Sequence, residues 1–326
     1  MAEFSIIEKH CLNVGPEHKE TVLGIGDDAA IISVPEGFDI VVSVDSMIAG
    51  VHFLPDVSPA SLAYKLLAVN LSDMAAMGAK PKWATMTLSL PAVDSHWMSE
   101  FSSSLKSHSN AHGVQLIGGD TTQGELNLSL TIMGLVAKGH ALSRYGAQPG
   151  DDVYVSNVVG DAALGLRCLQ GDLECTSEES SQLINALERP QARVHLGRAL
   201  SQVASACLDV SDGLVGDLQH ICKQSQVSIE IDVDAVPISK AYASYLADGG
   251  DLNAALNGGD DYELAFTASK SKRKELAKIA EQQGIALTRI GVVTDSAAGS
   301  EEKKVSLTRS GKAYTLPNTQ SYQHFS

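Results

Sequence analysis

The chain has 326 residues, a hydrophobic fraction of 44% and a formal net charge of −15 at pH 7. So acidic a balance excludes nonspecific nucleic-acid binding, which needs a basic surface. No apolar run reaches the roughly 18–20 residues that cross a bilayer, and the opening MAEFSIIEKH lacks the basic segment and long apolar stretch of a signal peptide.

Apolar runs predict strands near 29–34, 40–44, 85–90, 114–117 and 127–137. Helical spacing marks 59–77 and 95–112. The first of these opens on Ser58-Pro59, a cap residue followed by a first-turn proline, and stops at Gly78 with Pro81 beyond. A seam falls at GAQPGDD, 146–152, where VYVSNV starts a new strand, and the reading divides the chain into 1–147 and 148–326. Beyond the seam the pattern predicts helices near 161–170, 191–206 and 213–224 and a strand near 228–232. A strand YELAF, a charged helix SKRKELAKIAEQQ and a closing hairpin follow. Strands and helices alternate without a dinucleotide-binding βαβ fingerprint, so the expected class is α/β or α+β. Five cysteines with no CxxC spacing (Cys11, Cys168, Cys175, Cys207, Cys222) argue against a disulfide framework or zinc site and suit the cytoplasm.

Many aspartates lie among small or apolar residues rather than on polar faces. They are Asp27 and Asp28 in GIGDDAA, Asp45 in VVSVDSM, Asp73 in VNLSDMAAMG, Asp120 in LIGGDTT, Asp209 and Asp212 in CLDVSDGL, and Asp260 and Asp261 in GGDDYE. One Gly-Asp alone is turn chemistry. Asp73 is sharper, because it continues the Leu62, Leu66, Val69 stripe of its helix. A carboxylate there must be protonated, paired or metal-bound. The SDG of 211–213 sits ahead of a predicted helix, where backbone N–H groups face outward. Two carboxylates 5 Å apart repel by about 3 kcal/mol at an effective dielectric near 20. Gathering several in one cleft would therefore demand cations, and oxygen ligands favour Mg²⁺ or Ca²⁺ over zinc. Walker, GxGxxG, GxSxG and HExxH motifs are absent from the sequence. His52 follows Asp45 in AGVHFLP, and Arg144 in LSRYGAQPGD is an isolated cation able to clamp phosphate or make a surface pair.

Eight segments occur in order: GIGDDAA, SVDSMIAGVHF, YKLLAVNLSDMAAMGAKP, LIGGDTT, LSRYGAQPGD, LDVSDGL, NGGDDYEL and YQHF. Together they resemble the thiamine-monophosphate kinase family. That family lies in the superfamily of aminoimidazole ribonucleotide synthetase, selenophosphate synthetase and a hydrogenase-maturation protein. The resemblance runs over essentially the whole chain. It implies an N-terminal ATP- and metal-binding domain that contributes strands to a homodimer barrel, and a C-terminal α/β domain that completes the nucleotide and substrate site. It implies ATP-dependent phosphorylation of thiamine monophosphate to thiamine diphosphate with several Mg²⁺ ions. By the family pattern Asp28, Asp45, Asp73, Asp120 and Asp209 are metal ligands that position the reacting phosphates, with Ser43, Val44 (through its backbone) and Asp212 also near metal. Gly119, Asp120, Arg144 and Ser211 contact ATP, and His52 and Asp260 face the thiamine phosphate. Where the family pattern has a C-terminal tryptophan this chain has Thr319, which leaves Tyr322 as the nearby aromatic. The alternatives are another ATP-using synthetase of the superfamily, amidine-forming or selenophosphate-forming, and a non-catalytic metal or nucleotide binder.

Overall fold

The computed structural model describes residues 7–295 and 304–316. It divides into one unit of Met1–Met74 with Ala79–Ala141 and a second of Ala75–Gly78 with Leu142–Ser326. Thr319 and Tyr322 lie outside the described residues.

In the first unit a π-helical turn (Ile7–Cys11) precedes a small antiparallel pair, β1 (Thr21–Leu23) with β2 (Ile31–Ile32). The apolar run 29–34 yields only two strand residues. Its partner is itself three residues long and irregular in register, and Ile31 and Val34 stay exposed. A mixed sheet follows, built from β3 (Phe38–Ile48), β4 (Lys80–Leu90), β5 (Gln115–Gln123) and β6 (Asn127–Ala137) in the order β3-β6-β4-β5. Only the β4–β5 pair is parallel. Two helices accompany it, α1 (Pro59–Ala76) and α2 (Ser95–His112). The sequence stripe of α1 is buried as expected, with Leu62, Leu66 and Val69 at 1%, 0% and 4% exposure, but Asn70 and Ser72 are buried too. Helix α2 is bounded by chemistry: Asp94 accepts from His96 and Trp97 N–H, and Gly113 closes it in left-handed conformation.

The second unit is a seven-stranded sheet flanked by helices. Its elements run β7 (Asp152–Ser156), α3 (Asp161–Gln170), α4 (Ser177–Glu188), α5 (Val194–Leu200), β8 (Ala206–Asp209), α6 (Leu214–Ser225), β9 (Ser228–Asp232), α7 (Lys240–Ala247), α8 (Asn253–Asn257), β10 (Leu264–Ala268), α9 (Arg273–Gln283), β11 (Leu287–Thr294), β12 (Val305–Arg309) and β13 (Lys312–Tyr314). The order is β13-β12-β9-β11-β7-β10-β8, antiparallel except for β9–β12. Val153, Val155, Leu208, Ile229, Ile231 and Ile290 pack with Leu164, Leu218 and Ile221 in one core.

Two further elements differ from expectation. The helix predicted over 191–206 is only Val194–Leu200, because Ala206–Asp209 is a wholly buried strand paired to β10. A four-residue buried run has no periodicity that separates it from helix. The strand predicted at YELAF begins at Leu264 instead, because Asp260 and Tyr262 take φ of 70° and 51°, which a strand does not accommodate.

Helices α3 and α4 meet at Gly165, where an added Cβ would lie 2.2 Å from the Leu183 carbonyl oxygen. Alanine would gain about 1 kcal/mol of helix propensity, but overpacking against backbone costs about 1–3 kcal/mol. Gly165→Ala should therefore lower stability in urea denaturation; unchanged or raised stability would show that the two helices yield.

Candidate active site

The turn after β1 carries the first acids. Asp27 Oδ1 accepts the Asp28 backbone N–H at 2.8 Å, so Asp27 serves the turn and Asp28 is left on its exposed shoulder. On β3 side chains alternate in burial. Val42 and Val44 are exposed on one face, and Ser43 and Asp45 are half-buried on the other. Helix α1 meets this second face: Ser43 Oγ donates to Asp73 Oδ2 at 2.5 Å. The carboxylate that continues the apolar stripe of α1 is thus paired to a strand hydroxyl two positions from Asp45.

Register separates the remaining acids by face. Asp45 shares its row with Leu130, Met86 and Gly119, and Asp120 shares the next with Ser46, Ser129 and Thr87. Leu130 and Met86 are buried, whereas Ser46, Thr87 and Asp120 are exposed. Asp120 therefore belongs to the sheet face opposite Asp45. Its neighbour Gly119 has φ 154°, and a Cβ there would stand 2.0 Å from the Met86 carbonyl oxygen, so no other residue fits. Val44 pairs with Thr131. His52, after β3, accepts the Ile48 N–H on Nδ1 at 3.1 Å, which leaves Nε2 as the protonated nitrogen of the neutral ring.

In the second unit the segments LDVSDGL and NGGDDYEL are laced together by their backbones. Val210 N–H donates to Glu263 O, Tyr262 N–H to Val210 O, and Asp260 N–H to Ser211 O, each at 2.8 Å. Asp209 at the end of β8, Ser211, Asp212 and Asp260 are thereby neighbours along one joint. Asp209 is buried, Asp212 is exposed and Asp260 is half-buried. Two left-handed non-glycine residues, Asp260 and Tyr262, are held in this joint, and Tyr262 Oη donates to Asp260 Oδ1 at 3.1 Å. Strained backbone of this kind is retained where its surroundings over-determine it. Arg144 is exposed, and its own carbonyl accepts Ser225 Oγ at 3.0 Å.

One expectation is corrected here. The N–H groups of Ser211, Asp212 and Gly213 do not face outward. All three donate to Asp217 Oδ2, at 3.0, 3.0 and 3.1 Å. Burial pushes the Asp217 carboxyl up to about 7, against the pull of those donors. Sequence reasoning missed Asp217, although it shares the Leu214, Leu218, Ile221 stripe of α6, the same signal that marked Asp73.

Asp261 and Glu263 are also structural in their contacts. Both oxygens of Asp261 accept the Gly160 N–H at the start of α3, at 2.8 and 2.9 Å, and burial raises its carboxyl well above the usual value. Glu263 accepts Ser156 Oγ, Asn157 Nδ2 and the Arg193 guanidinium. These groups border a polar cavity of about 330 Å³ that also reaches Asp161 and Gln182.

Within either unit, no three His, Cys, Asp or Glu side chains among the described residues are gathered to hold a metal ion. The candidate donors, all oxygen, still suit Mg²⁺. That ion keeps several waters and binds through one or two carboxylates plus substrate phosphates rather than an all-protein cage. The Ser43–Asp73 pair beside Asp45 has that character.

Asp217→Ala strands three backbone donors, each costing about 1–3 kcal/mol if buried and unmade. It should lose clearly more stability in urea than Asp217→Asn, which keeps an acceptor oxygen. Equal midpoints for the two variants would show that the carboxyl does not hold the turn.

Both halves of the chain match models of AIR synthase related proteins, the N-terminal domain over residues 26–136 and the C-terminal domain over 148–304. The thiamine-monophosphate kinase of Salmonella typhimurium is 44% identical over 324 residues, covering 99% of this chain and 98% of that one. The crystal structure of thiamine-monophosphate kinase from Stenotrophomonas maltophilia superposes with a TM-score of 0.86 at 42% identity, covering 96% of this chain and 98% of that one. AaThiL complexed with AMPPCP and TMP superposes with a TM-score of 0.78 at 29% identity, over 99% and 96% of the two chains. The chain belongs to the thiamine-monophosphate kinase family of AIR synthase related proteins.

Proposed function

We propose that the chain transfers the γ-phosphoryl group of ATP to thiamine monophosphate, giving thiamine diphosphate and ADP. The observation that carries this reading is the full-length likeness to thiamine-monophosphate kinases. It is joined by likeness to AaThiL, whose AMPPCP and TMP we read as the ATP analogue and the phosphate acceptor. An oxygen of the acceptor phosphate bonds to the γ-phosphorus as the bond to the β–γ bridging oxygen breaks. That acceptor is already an anion, so the reaction needs no general base. What it needs is to bring two polyanions into line on a chain of net charge −15.

Several Mg²⁺ ions, when bound, would offset the negative charge that gathers as the two phosphate groups approach. The residues we assign to hold these ions are Asp28, Ser43, the Val44 backbone, Asp45, Asp73 and Asp120 in the first unit, with Asp120 serving a different ion from Asp45 because the two lie on opposite sheet faces, and Asp209 and Asp212 in the second. Gly119, Asp120, Arg144 and Ser211 are assigned to the nucleotide, and His52, Asp260 and Tyr322 to the thiamine phosphate. The oxygen-only donor set and the exposure of Gly119, Asp120 and Arg144 support these roles. A cytoplasmic location belongs to the same reading. It is supported by five cysteines that all remain free, and among the described residues no helix is long and apolar enough to cross a membrane.

The reading includes a homodimer. Strand β3 is eleven residues long and lies at the edge of its sheet. It presents Phe38, Ile40, Val42, Val44 and Ile48 to solvent at 42%, 39%, 57%, 58% and 39% exposure. A long apolar edge left open invites uncontrolled pairing, and a second copy is the occupant that would cover it.

The test is product analysis by chromatography with ATP, Mg²⁺ and thiamine monophosphate, using EDTA and free thiamine as controls. Thiamine diphosphate and ADP should appear together, only with the metal and only from the monophosphate. ADP alone, or no turnover by folded protein, would sink the proposal. Asp45→Asn and Asp73→Asn should each cost about 100-fold or more in kcat with an unchanged circular dichroism spectrum, since an amide oxygen at 73 still accepts from Ser43. Unfolding of both variants would make these acids structural.

For assembly, light scattering should find the wild type dimeric and the double variant Ile40→Lys, Val42→Lys monomeric. A monomeric wild type would remove the dimer from the proposal.

A further inference from the structure

Two of the five cysteines are within reach of each other. Cys168, in the last turn of α3, and Cys175, just ahead of α4, bring their Sγ atoms to 3.2 Å. Cys175 is exposed and Cys168 half-buried, while Cys11, Cys207 and Cys222 are buried.

The approach does not depend on the sulfurs, because both ends of the connection are tied independently. Gly171 ends α3 at φ 78°, with its N–H on the Cys168 carbonyl at 3.1 Å and the Asp172 N–H on the Arg167 carbonyl at 2.8 Å. At the other end Thr176 and Glu179 form a reciprocal cap on α4. The two cysteines flank a turn whose ends are set by caps. A disulfide is about 2.05 Å long, so closing the pair asks for roughly an ångström of side-chain movement.

We propose that Cys168 and Cys175 are a reversible dithiol–disulfide pair, an oxidative modification site that staples α3 to α4. The exposed Cys175 meets the oxidant, a peroxide, first. Its thiolate sulfur bonds to one peroxide oxygen, the O–O bond breaks, hydroxide leaves and takes up the proton that the thiol had released to become water, and Cys175 becomes a sulfenic acid. Burial, together with the neighbouring sulfur, pushes the Cys168 thiol up to about 11, which suits it to the resolving role rather than the first attack. Cys168 sulfur then bonds to Cys175 sulfur, the S–O bond breaks, and hydroxide departs with the Cys168 proton as a second water. Two thiols lose two electrons and the peroxide is reduced to two waters. A small-molecule dithiol reverses the bond by exchange.

The staple would act on the wall of the polar cavity described above. Helix α3 contributes Asp161 and α4 contributes Gln182 to the wall of the 330 Å³ cavity, and Gln182 Nε2 donates to Asp161 Oδ2 at 3.1 Å. A bond at the turn joining these helices ties that wall together.

The experiment is to treat the native, reduced protein with hydrogen peroxide, block remaining thiols with iodoacetamide, and digest with trypsin without reductant. Residues 168–193 leave as one peptide holding both cysteines, because Pro190 after Arg189 blocks cleavage there. The expected result is this peptide two hydrogens lighter and unalkylated, converted to the doubly alkylated form after dithiothreitol. The oxidised protein should melt a few degrees higher than the reduced one. Cys175→Ser should abolish both effects while melting like the reduced wild type. Full alkylation of both thiols after peroxide would overturn the proposal, as would oxidation of Cys175 to the sulfinic acid without pairing, or bonds only between molecules.

Discussion

The cost of taking a carboxylate out of water governs where the acids of this chain sit and what surrounds them. Several deeply placed acids have drawn donors to themselves. Asp73 takes the Ser43 hydroxyl, and Asp217 takes three successive backbone N–H groups. Asp261 takes the N–H of Gly160 just ahead of α3, and Asp152, with no exposed surface, takes both Arg273 and Arg289. Hydrogen bonding to Arg273 holds the Asp152 carboxyl below its ordinary value, whereas burial lifts Asp217 and Asp261 above theirs. These contacts also build the architecture. Asp152 pins α9 and β11 to β7, and Asp217 folds the β8–α6 turn over the start of its own helix.

The same constraint sorts the acids into two kinds. Asp217, Asp261 and Glu263 spend their oxygens on protein donors and shape the joint between LDVSDGL and NGGDDYEL. Asp28, Asp120 and Asp212 are exposed, which leaves them open to cations. Asp45 and Asp73 fall between, both half-buried, with Asp73 taking the Ser43 hydroxyl. An acid in apolar company whose oxygens are already met by protein donors is therefore a strut, and the number of nearby donors marks it as one.

Much of the fold was legible because local chemistry and tertiary packing agree. Helix α1 announces itself through Ser58-Pro59 at its start and Gly78 beyond its end, and β6 through alternation over 127–132 that the sheet then buries on one side. Elements that depend on distant partners were not legible. Strand β8 is four buried residues that exist because β10 lies beside them. Strand β10 starts two residues late because Asp260 and Tyr262 are bent into left-handed backbone by bonds to Ser211 and Val210. Short apolar runs carry no period, and positive φ at a non-glycine residue leaves no mark in composition.

For the site, the sequence by itself determined the family, through eight segments in order, and the set of aspartates set apart from ordinary surface charge. It also determined that any anionic ligand must be met by cations, since the chain carries net charge −15. Only the tertiary structure decided which acids are already satisfied. It turned the SDG amides from an open anion cradle into donors for Asp217, assigned Asp120 and Asp45 to opposite faces of one sheet, and brought Cys168 to Cys175 across a capped turn. The reason is distance along the chain. The donors that satisfy Asp73 and Asp152 come from 30 and 121 residues away, and no local pattern encodes a partner that only folding brings near.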